Sequence, residues 1–488
     1  MRDAVRFMLG DELVRVSGIS ASLSVLDWLR GTARLTGTKE GCNEGDCGAC
    51  TIVLVRPRHG RLDYRAVNAC TLLVGMLDGA QVLTVEHLAD GARLHMVQQA
   101  MVDAHGSQCG FCTPGFVMSL YARAKQPKSE RVDAAEALAG NLCRCTGYAP
   151  IIRAAAMIDA HEAPDQWDRR SKETLARLEA LHDGTTLCLG DGDTCFMAPA
   201  SEDELAHLLV QHAGGKDAGR PTLVAGNTDV GLWINKKLMR LDPIFWLGGI
   251  DSLKQIAESN DHIEIGAGVT YSEAQAKLVG LFPETGALIT RIGGVQVRNS
   301  GTVVGNIANG SPIGDMSPLL LAAGASLGLR RGEHRRKLAL DEFFLSYGVQ
   351  DRAPDEFITH VSVPRLKPGA VLKAWKISKR ADQDISCVMM AVWLDYDGAR
   401  INDIRLAFGG MAGVVCRARA CEARLRGGPW TRQTLAAAQA QLREELQPIS
   451  DMRASAGYRL DVACNLLERL YIETVERAPT RLPDASLA

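Results

Sequence analysis

The chain has no run of apolar side chains near the roughly 20 residues that span a bilayer, and its amino end lacks the charged-then-apolar pattern of a leader peptide. Arg2 to Val16 instead alternates polar and apolar residues around Gly10-Asp11. A soluble, cytoplasmic protein with no membrane partner is expected, in a compartment that keeps thiols reduced. Neither sign of charge is in excess: 55 Lys and Arg face 57 Asp and Glu, a formal net charge of −2. That argues against a nucleic-acid partner, which favours a basic face. The strongest basic run, Arg330, Arg331, Arg335, Arg336 and Lys337, reads as a solvated hairpin tip. There is no internal repeat, no low-complexity tract and no histidine cluster with metal-ligand spacing.

Cysteine is what the chain does have, and it is unevenly placed. Eight of the fourteen lie in the first 145 residues, in two groups of four. Packing does not account for that density, because a buried Cys serves only as a small hydrophobe. The first group is Cys42, Cys47 and Cys50 on one loop, with Cys70 downstream. This spacing is the plant-type ferredoxin pattern for a 2Fe-2S cluster. Gly41, Gly45 and Gly48 let the loop wrap closely and turn N–H groups toward sulfur. A zinc site would favour a Cys-x2-Cys pair on each side of the tetrahedron, and only one such pair is present.

The second group pairs Cys109 and Cys112 with Cys143 and Cys145. Taken alone, that spacing suits zinc as well as iron. A redox-silent ion beside a one-electron carrier would serve structure only, so a second 2Fe-2S cluster is the expectation. Thr113-Pro114 after Cys112 fits an N-cap and first helical turn.

Around these cysteines the chain reads as a small strand-rich unit, 1–82, then four short helices, 83–162. The first unit has a hairpin from Val5–Leu9 and Glu12–Val16, a helix capped by Ser24 and a strand from Thr51. The second has helices near 95–104, 116–124, 132–139 and 150–160. Residues 163–196 read as a linker with a charged helix at 172–181. Further regions follow at 197–370 and 371–478, and the tail 479–488 reads as disordered. Within 197–370, Leu223 to Gly231 is a strand entering a glycine-bearing turn, and Ser300 to Ile307 has the same character. Either could form an anion-holding nest, or be an ordinary turn; neither is the G-x-G-x-x-G dinucleotide pattern.

The ferredoxin-like loop, Cys109-Gly110-Phe111-Cys112-Thr113-Pro114-Gly115 and Gly140-Asn141-Leu142-Cys143-Arg144-Cys145-Thr146-Gly147-Tyr148 together resemble the iron–sulfur half of the xanthine oxidase family of molybdenum hydroxylases. The two glycine-bearing turns and the remainder to about 478 resemble that family's flavin portion. The resemblance implies an α+β multidomain chain. Its parts would be a β-grasp ferredoxin-like domain, a four-helix iron–sulfur bundle, an α+β FAD-binding domain of the vanillyl-alcohol-oxidase/CO-dehydrogenase flavoprotein type, and a small C-terminal α+β domain. It assigns Leu223, Val224, Ala225, Gly226, Asn227, Thr228, Asp229 and Val230 to the FAD phosphates and ribityl chain. Thr302, Gly305 and Asn306 join that cradle, Asp315 binds a polar FAD group, and Ile358 and Lys376 lie along the cofactor. Gln108 would sit near a partner's pterin, and Lys379 to Asp382 would form a loop at the flavin's reactive face.

No segment after Ala478 suits a molybdopterin, so the resemblance implies a separate molybdopterin-binding large subunit, in a heterotetramer of two small and two large chains. The order of modules points to the family's xanthine dehydrogenase subgroup. Electrons from hypoxanthine or xanthine, oxidised to urate on the partner, would pass through both clusters to FAD and on to NAD+. An equivalent subunit of an aldehyde or N-heterocycle hydroxylase, or a stand-alone iron–sulfur flavoprotein reductase, stays open. No catalytic acid or base is assigned. The other cysteines, Cys188 and Cys195 among them, read mostly as packing residues.

Overall fold

The computed structural model describes residues 1–161, 163–191, 194–213, 221–241, 243–478 and 480. Apart from Thr480, the tail lies outside the described residues. Among the described residues no helix is long and apolar enough to cross a membrane.

Val5–Leu9 and Glu12–Val16 form the expected hairpin, in register from Val5 with Val16 to Leu9 with Glu12. Ser24 caps helix Val25–Gly31, its hydroxyl accepting from the Asp27 N–H at 3.0 Å. A five-stranded sheet runs in the order Glu12–Val16, Val5–Leu9, Gln81–Leu83, Thr51–Arg58, Arg61–Asn68. The helix lies across it, with Val25, Leu26, Trp28 and Leu29 packed against Phe7, Ile52 and Val67. This is the β-grasp.

Strand Thr51–Arg58 serves two cores, because successive side chains leave a strand on opposite faces. Ile52 joins the β-grasp core, while Val53 and Val55 meet Val97, Phe116, Leu120 and Ile151 of the helical unit. That unit holds helices Met96–Asp103, Thr113–Ala124, Ala134–Leu138 and Ala149–Asp159, near the expected positions. One detail moves by a residue. Cys112, not Thr113, is the N-cap residue, and the Thr113 hydroxyl lies 2.7 Å from that of Ser107. Stretch 163–196 carries helix Ser171–Leu181 as read, but also helix Gln166–Arg169 and strands Leu187–Asp191 and Thr194–Ala198. It is clamped rather than loose: Asp165 meets Lys125 Nζ at 2.8 Å and His95 Nε2 at 3.1 Å.

The next region is built on two sheets. Strands Leu187–Asp191, Thr194–Ala198, Ile244–Trp246 and Thr222–Val224 form one. Ile256–Glu258, His262–Gly266, Phe357–Pro364, Ser326–Arg331 and His334–Ala339 form the other. The basic run does sit on a hairpin, but Arg330 is buried, with Nη1 2.9 Å from Glu202 and Nη2 2.5 Å from Asp203. Its position on the strand turns it inward, where it needs those carboxylates. Cys188 and Cys195 face Met197 and Gly190 across a strand pair rather than each other.

In the C-terminal sheet, strand Val388–Tyr396 is buried on both faces. Met389, Ala391 and Trp393 enter the flavin-side core. Val388, Met390, Val392 and Leu394 meet Leu435, Leu442, Leu467 and Leu470 of the covering helices. Arg459, fully buried on helix Ala456–Tyr471, donates to the carbonyls of Cys387 and Gly410 and to Asp451. Replacing it by alanine takes a donor from the carbonyls of Cys387 and Gly410, and Arg459→Ala is expected to cost about 1–3 kcal/mol. Urea unfolding followed by the fluorescence of this domain's tryptophans measures it.

Candidate functional site

The eight thiols come in twos. Cys42 and Cys47 face each other: the Cys42 N–H donates to Cys47 Sγ at 3.3 Å, and the Cys47 and Asp46 N–H groups donate to Cys42 Sγ at 3.3 and 3.4 Å. Cys50 and Cys70 bring their sulfurs to 3.3 Å. The contact with Cys47, opposed by burial and aided by backbone N–H groups, pulls Cys42 down to about 5, and the same contact pushes Cys47 up. Cys70 is pushed up by its contact with Cys50 and by burial. Such pairs share protons until a metal replaces them.

The second group repeats the arrangement. The Phe111 N–H and then Cys145 hold Cys109 below the ordinary thiol value, while Cys145 is pushed up by Cys109. Burial and then Cys143 push Cys112 up to about 12. Cys143, against its burial, is held down by the hydroxyl and N–H of Thr146, at 3.1 and 3.5 Å. Among the described residues, no three Cys, His, Asp or Glu side chains converge where one ion could be held. Two thiols to each metal is the demand of a two-iron cluster, not of a tetrahedral zinc ion. The residues therefore fit two 2Fe-2S clusters.

The two groups are joined directly. The Leu142 N–H, beside Cys143, donates to the carbonyl of Cys47 at 2.9 Å. Gly48 has φ +67, and a Cβ there would collide with the Gly140 carbonyl. The first pairs are half-buried or buried, whereas Cys109 and Cys145 are exposed. Phe111, Leu142, Tyr148 and Ile152 leave apolar surface beside them. Gln108 is exposed on the same loop.

On the other side of the first group, a cavity of about 350 Å³ opens between the two sheets of the third region. Leu223, Ala225, Gly226, Asn227, Thr228, Asp229, Val230, Thr302, Gly305, Asn306 and Ile358 all line it. Val224 does not: strand alternation turns it into the core, 2% exposed. Asp315 and Lys376 also stand outside the lining. Asp315 is held by Lys376 Nζ and the Ser386 hydroxyl, each at 2.5 Å. Trp233, Tyr271, Arg352 and Phe357 line the cavity too and were not anticipated; they lie outside both glycine-bearing turns, which alone carried a local signal.

The lining suits a polar cofactor that brings hydroxyl or N–H donors. Asn227 Oδ1 and Asn306 Oδ1 are buried without a hydrogen-bond partner. A Cβ on Gly226 would collide with the Ser300 carbonyl, so the two turns meet backbone to backbone. Asn227 also reaches the first thiol group, donating to the Thr71 carbonyl at 2.7 Å. Asn235, on the helix that follows, donates to the Cys70 carbonyl at 2.8 Å.

Comparison with known proteins agrees with this layout. Residues 84–156 match the model of the 2Fe-2S binding domain, 192–366 that of the FAD binding domain in molybdopterin dehydrogenase, and 373–474 that of the CO dehydrogenase flavoprotein C-terminal domain. Through these matches the chain is similar to the iron–sulfur and flavin portions of the xanthine oxidase family of molybdenum hydroxylases. Among this family's members, the xanthine dehydrogenase of Emericella nidulans is 29% identical over 99% of this chain and 39% of its own length. Aldehyde oxidase 3 of Rattus norvegicus is 27% identical over 99% of this chain and 40% of its own length. Carbon monoxide dehydrogenase from Hydrogenophaga pseudoflava superposes with a TM-score of 0.52 at 27% identity, over 56% of this chain and 94% of that one. The chain thus spans about two fifths of the length of these curated relatives.

Two outcomes follow from the site geometry. In iron-free protein, a thiol reagent should modify the exposed Cys109 first of the eight and the buried Cys50 and Cys70 last, read by mass spectrometry over time. Gly226→Ala should drive the two turns apart and abolish flavin retention while iron content stays at the wild-type level, read by absorbance and iron assay.

Proposed function

We propose that the chain is the electron-transfer subunit of a xanthine dehydrogenase. It would take electrons from a molybdopterin-bearing partner, pass them through two 2Fe-2S clusters to FAD, and deliver them to NAD+. When bound, the clusters supply single-electron transfer and the flavin converts single electrons into the pair that a nicotinamide accepts as hydride.

The observation that carries this reading is the order of contacts. The exposed pair Cys109 and Cys145 lies at one end. Leu142 then bonds to Cys47, and Asn227 and Asn235 bond the Cys70–Thr71 segment to the cofactor cavity. The chain's own task is to hold these stations in line. N–H groups aimed at Cys42 and Cys143 would stabilise the added negative charge of a reduced cluster.

The apolar rim of Phe111, Leu142, Tyr148 and Ile152 around the exposed thiols supports a protein partner at that end. A heterotetramer of two small and two large subunits fits this reading. The loop after Lys376 supports the acceptor end. Arg291 holds it, donating to Lys376 O at 2.9 Å, to Ala381 O at 2.8 Å and to Ser378 Oγ at 2.8 Å. Lys379 and Arg380 are exposed there and would help seat NAD+. Xanthine as substrate rests on the xanthine dehydrogenase relatives. The likeness to aldehyde oxidase favours an aldehyde as the second reading.

Anaerobic purification from the native host tests the proposal. About four irons, matching acid-labile sulfide, one FAD and two distinct reduced-cluster EPR signals are expected per chain, together with a co-purifying molybdopterin protein. Turnover of xanthine but not aldehydes with NAD+ supports the first substrate reading, and the reverse supports the second. A colourless chain that loads only zinc overturns the whole assignment.

A further inference from the structure

The flavin-side segment Gly294–Asn299 is driven into the joint between the two thiol groups. Gln296 is 1% exposed. Its Nε2 lies 2.9 Å from Asn141 Oδ1, 3.1 Å from Ser119 Oγ and 3.2 Å from Thr51 Oγ1. Each of these residues belongs to a thiol-bearing stretch. Thr51 follows Cys50, Asn141 lies on the loop that enters Cys143, and Ser119 is on the helix that Cys112 begins. Asn141 Nδ2 and Thr51 Oγ1 both converge on the Gly48 carbonyl, at 3.2 and 2.6 Å. One carboxamide from the flavin side thus meets both cluster loops.

The approach is closer than side chains would allow. A Cβ on Gly140 would collide with Gln296 Oε1, and one on Gly294 would lie 2.5 Å from the Gly140 Cα. Neighbours of Gln296 pin the same segment. Arg298 meets Glu136 of the helical unit at 2.8 Å, and Asn299 donates to Ala66 O of the β-grasp at 2.9 Å. The segment runs on into Gly301 and Thr302, which line the flavin cavity.

An apolar residue at 296 would fill this space without leaving Oε1 buried and unpaired, as it is here. A buried polar network of this kind specifies one geometry. Resting on the relay reading above, we propose that Gln296 is a positioning residue for electron transfer. It fixes the spacing and orientation of the two clusters relative to each other and to the flavin, while touching none of them.

The test uses the chain loaded with clusters and FAD, as wild type, Gln296→Met, Asn141→Ala and the double variant. Methionine keeps the length and removes the donor. Iron and flavin content should be unchanged in Gln296→Met. The magnetic interaction between the two reduced clusters, read by pulsed EPR, should change in distance or orientation. Cluster-to-flavin transfer after rapid reduction should slow by about fivefold or more, the lower end of coupling between linked sites. The second substitution should add little to the first, because both act through one network.

Wild-type EPR interaction and rate in a fully loaded Gln296→Met overturn the proposal, as does simple additivity in the double variant. If Gln296→Met does not fold, Ser119→Ala, which removes another donor to Asn141 Oδ1, takes its place with the same expected direction. A wild-type chain that takes up no iron sinks the relay reading and this proposal with it, a result distinct from loaded clusters that ignore residue 296.

Discussion

The structure depends on backbone meeting backbone where the thiol loops touch. Gly48 lies so close to the Gly140 carbonyl that it has no room for a side chain, and the Leu142–Cys47 hydrogen bond closes the same joint. Such an approach fixes distance more rigidly than side-chain packing, because main chain has no rotamers to yield. The double-sided strand Thr51–Arg58 supports it, feeding the β-grasp core from one face and the helical core from the other. The two iron–sulfur units are therefore a single mechanical body.

The same logic extends to the flavin side. Gly226 against Ser300 brings two turns together over the cavity, and Asn227 spans from that cavity to the residue after Cys70. Strand Val388–Tyr396, buried on both faces, binds the C-terminal domain to the flavin-side core. Burial falls from the first thiol group to the second, where Cys109 and Cys145 reach solvent. Solvent exposure and hydrogen bonds to sulfur both move cluster potentials, so this gradient and the N–H groups at Cys42 and Cys143 give the chain means to tune two chemically similar centres separately.

Much of this was legible locally. The hairpin, the Ser24 cap, the four short helices and the C-terminal strands follow from alternation, capping residues and helical spacing, all short-range signals. Two readings shifted for a reason short-range signals miss. Arg330 looked like part of a solvated run, yet its strand turns it onto Glu202 and Asp203. The stretch read as a linker ends in strands whose partners, Ile244–Trp246 and Thr222–Val224, lie far along the chain. Within the site, Val224 sits in a cofactor-lining sequence but points into the core. Asp315 and Lys376 face each other between domains rather than the cavity.

By itself the sequence determined the chemistry, because cysteine number and spacing limit which metal centres a loop can wrap, and glycines mark where a backbone must come close. Only the tertiary structure decided the pairing of Cys42 with Cys47, Cys50 with Cys70, Cys109 with Cys145 and Cys112 with Cys143. It also decided the order of the three sites and the burial of Gln296 among residues distant in sequence. Those are relations between separate segments, and they exist only once several cores have closed and brought those segments together.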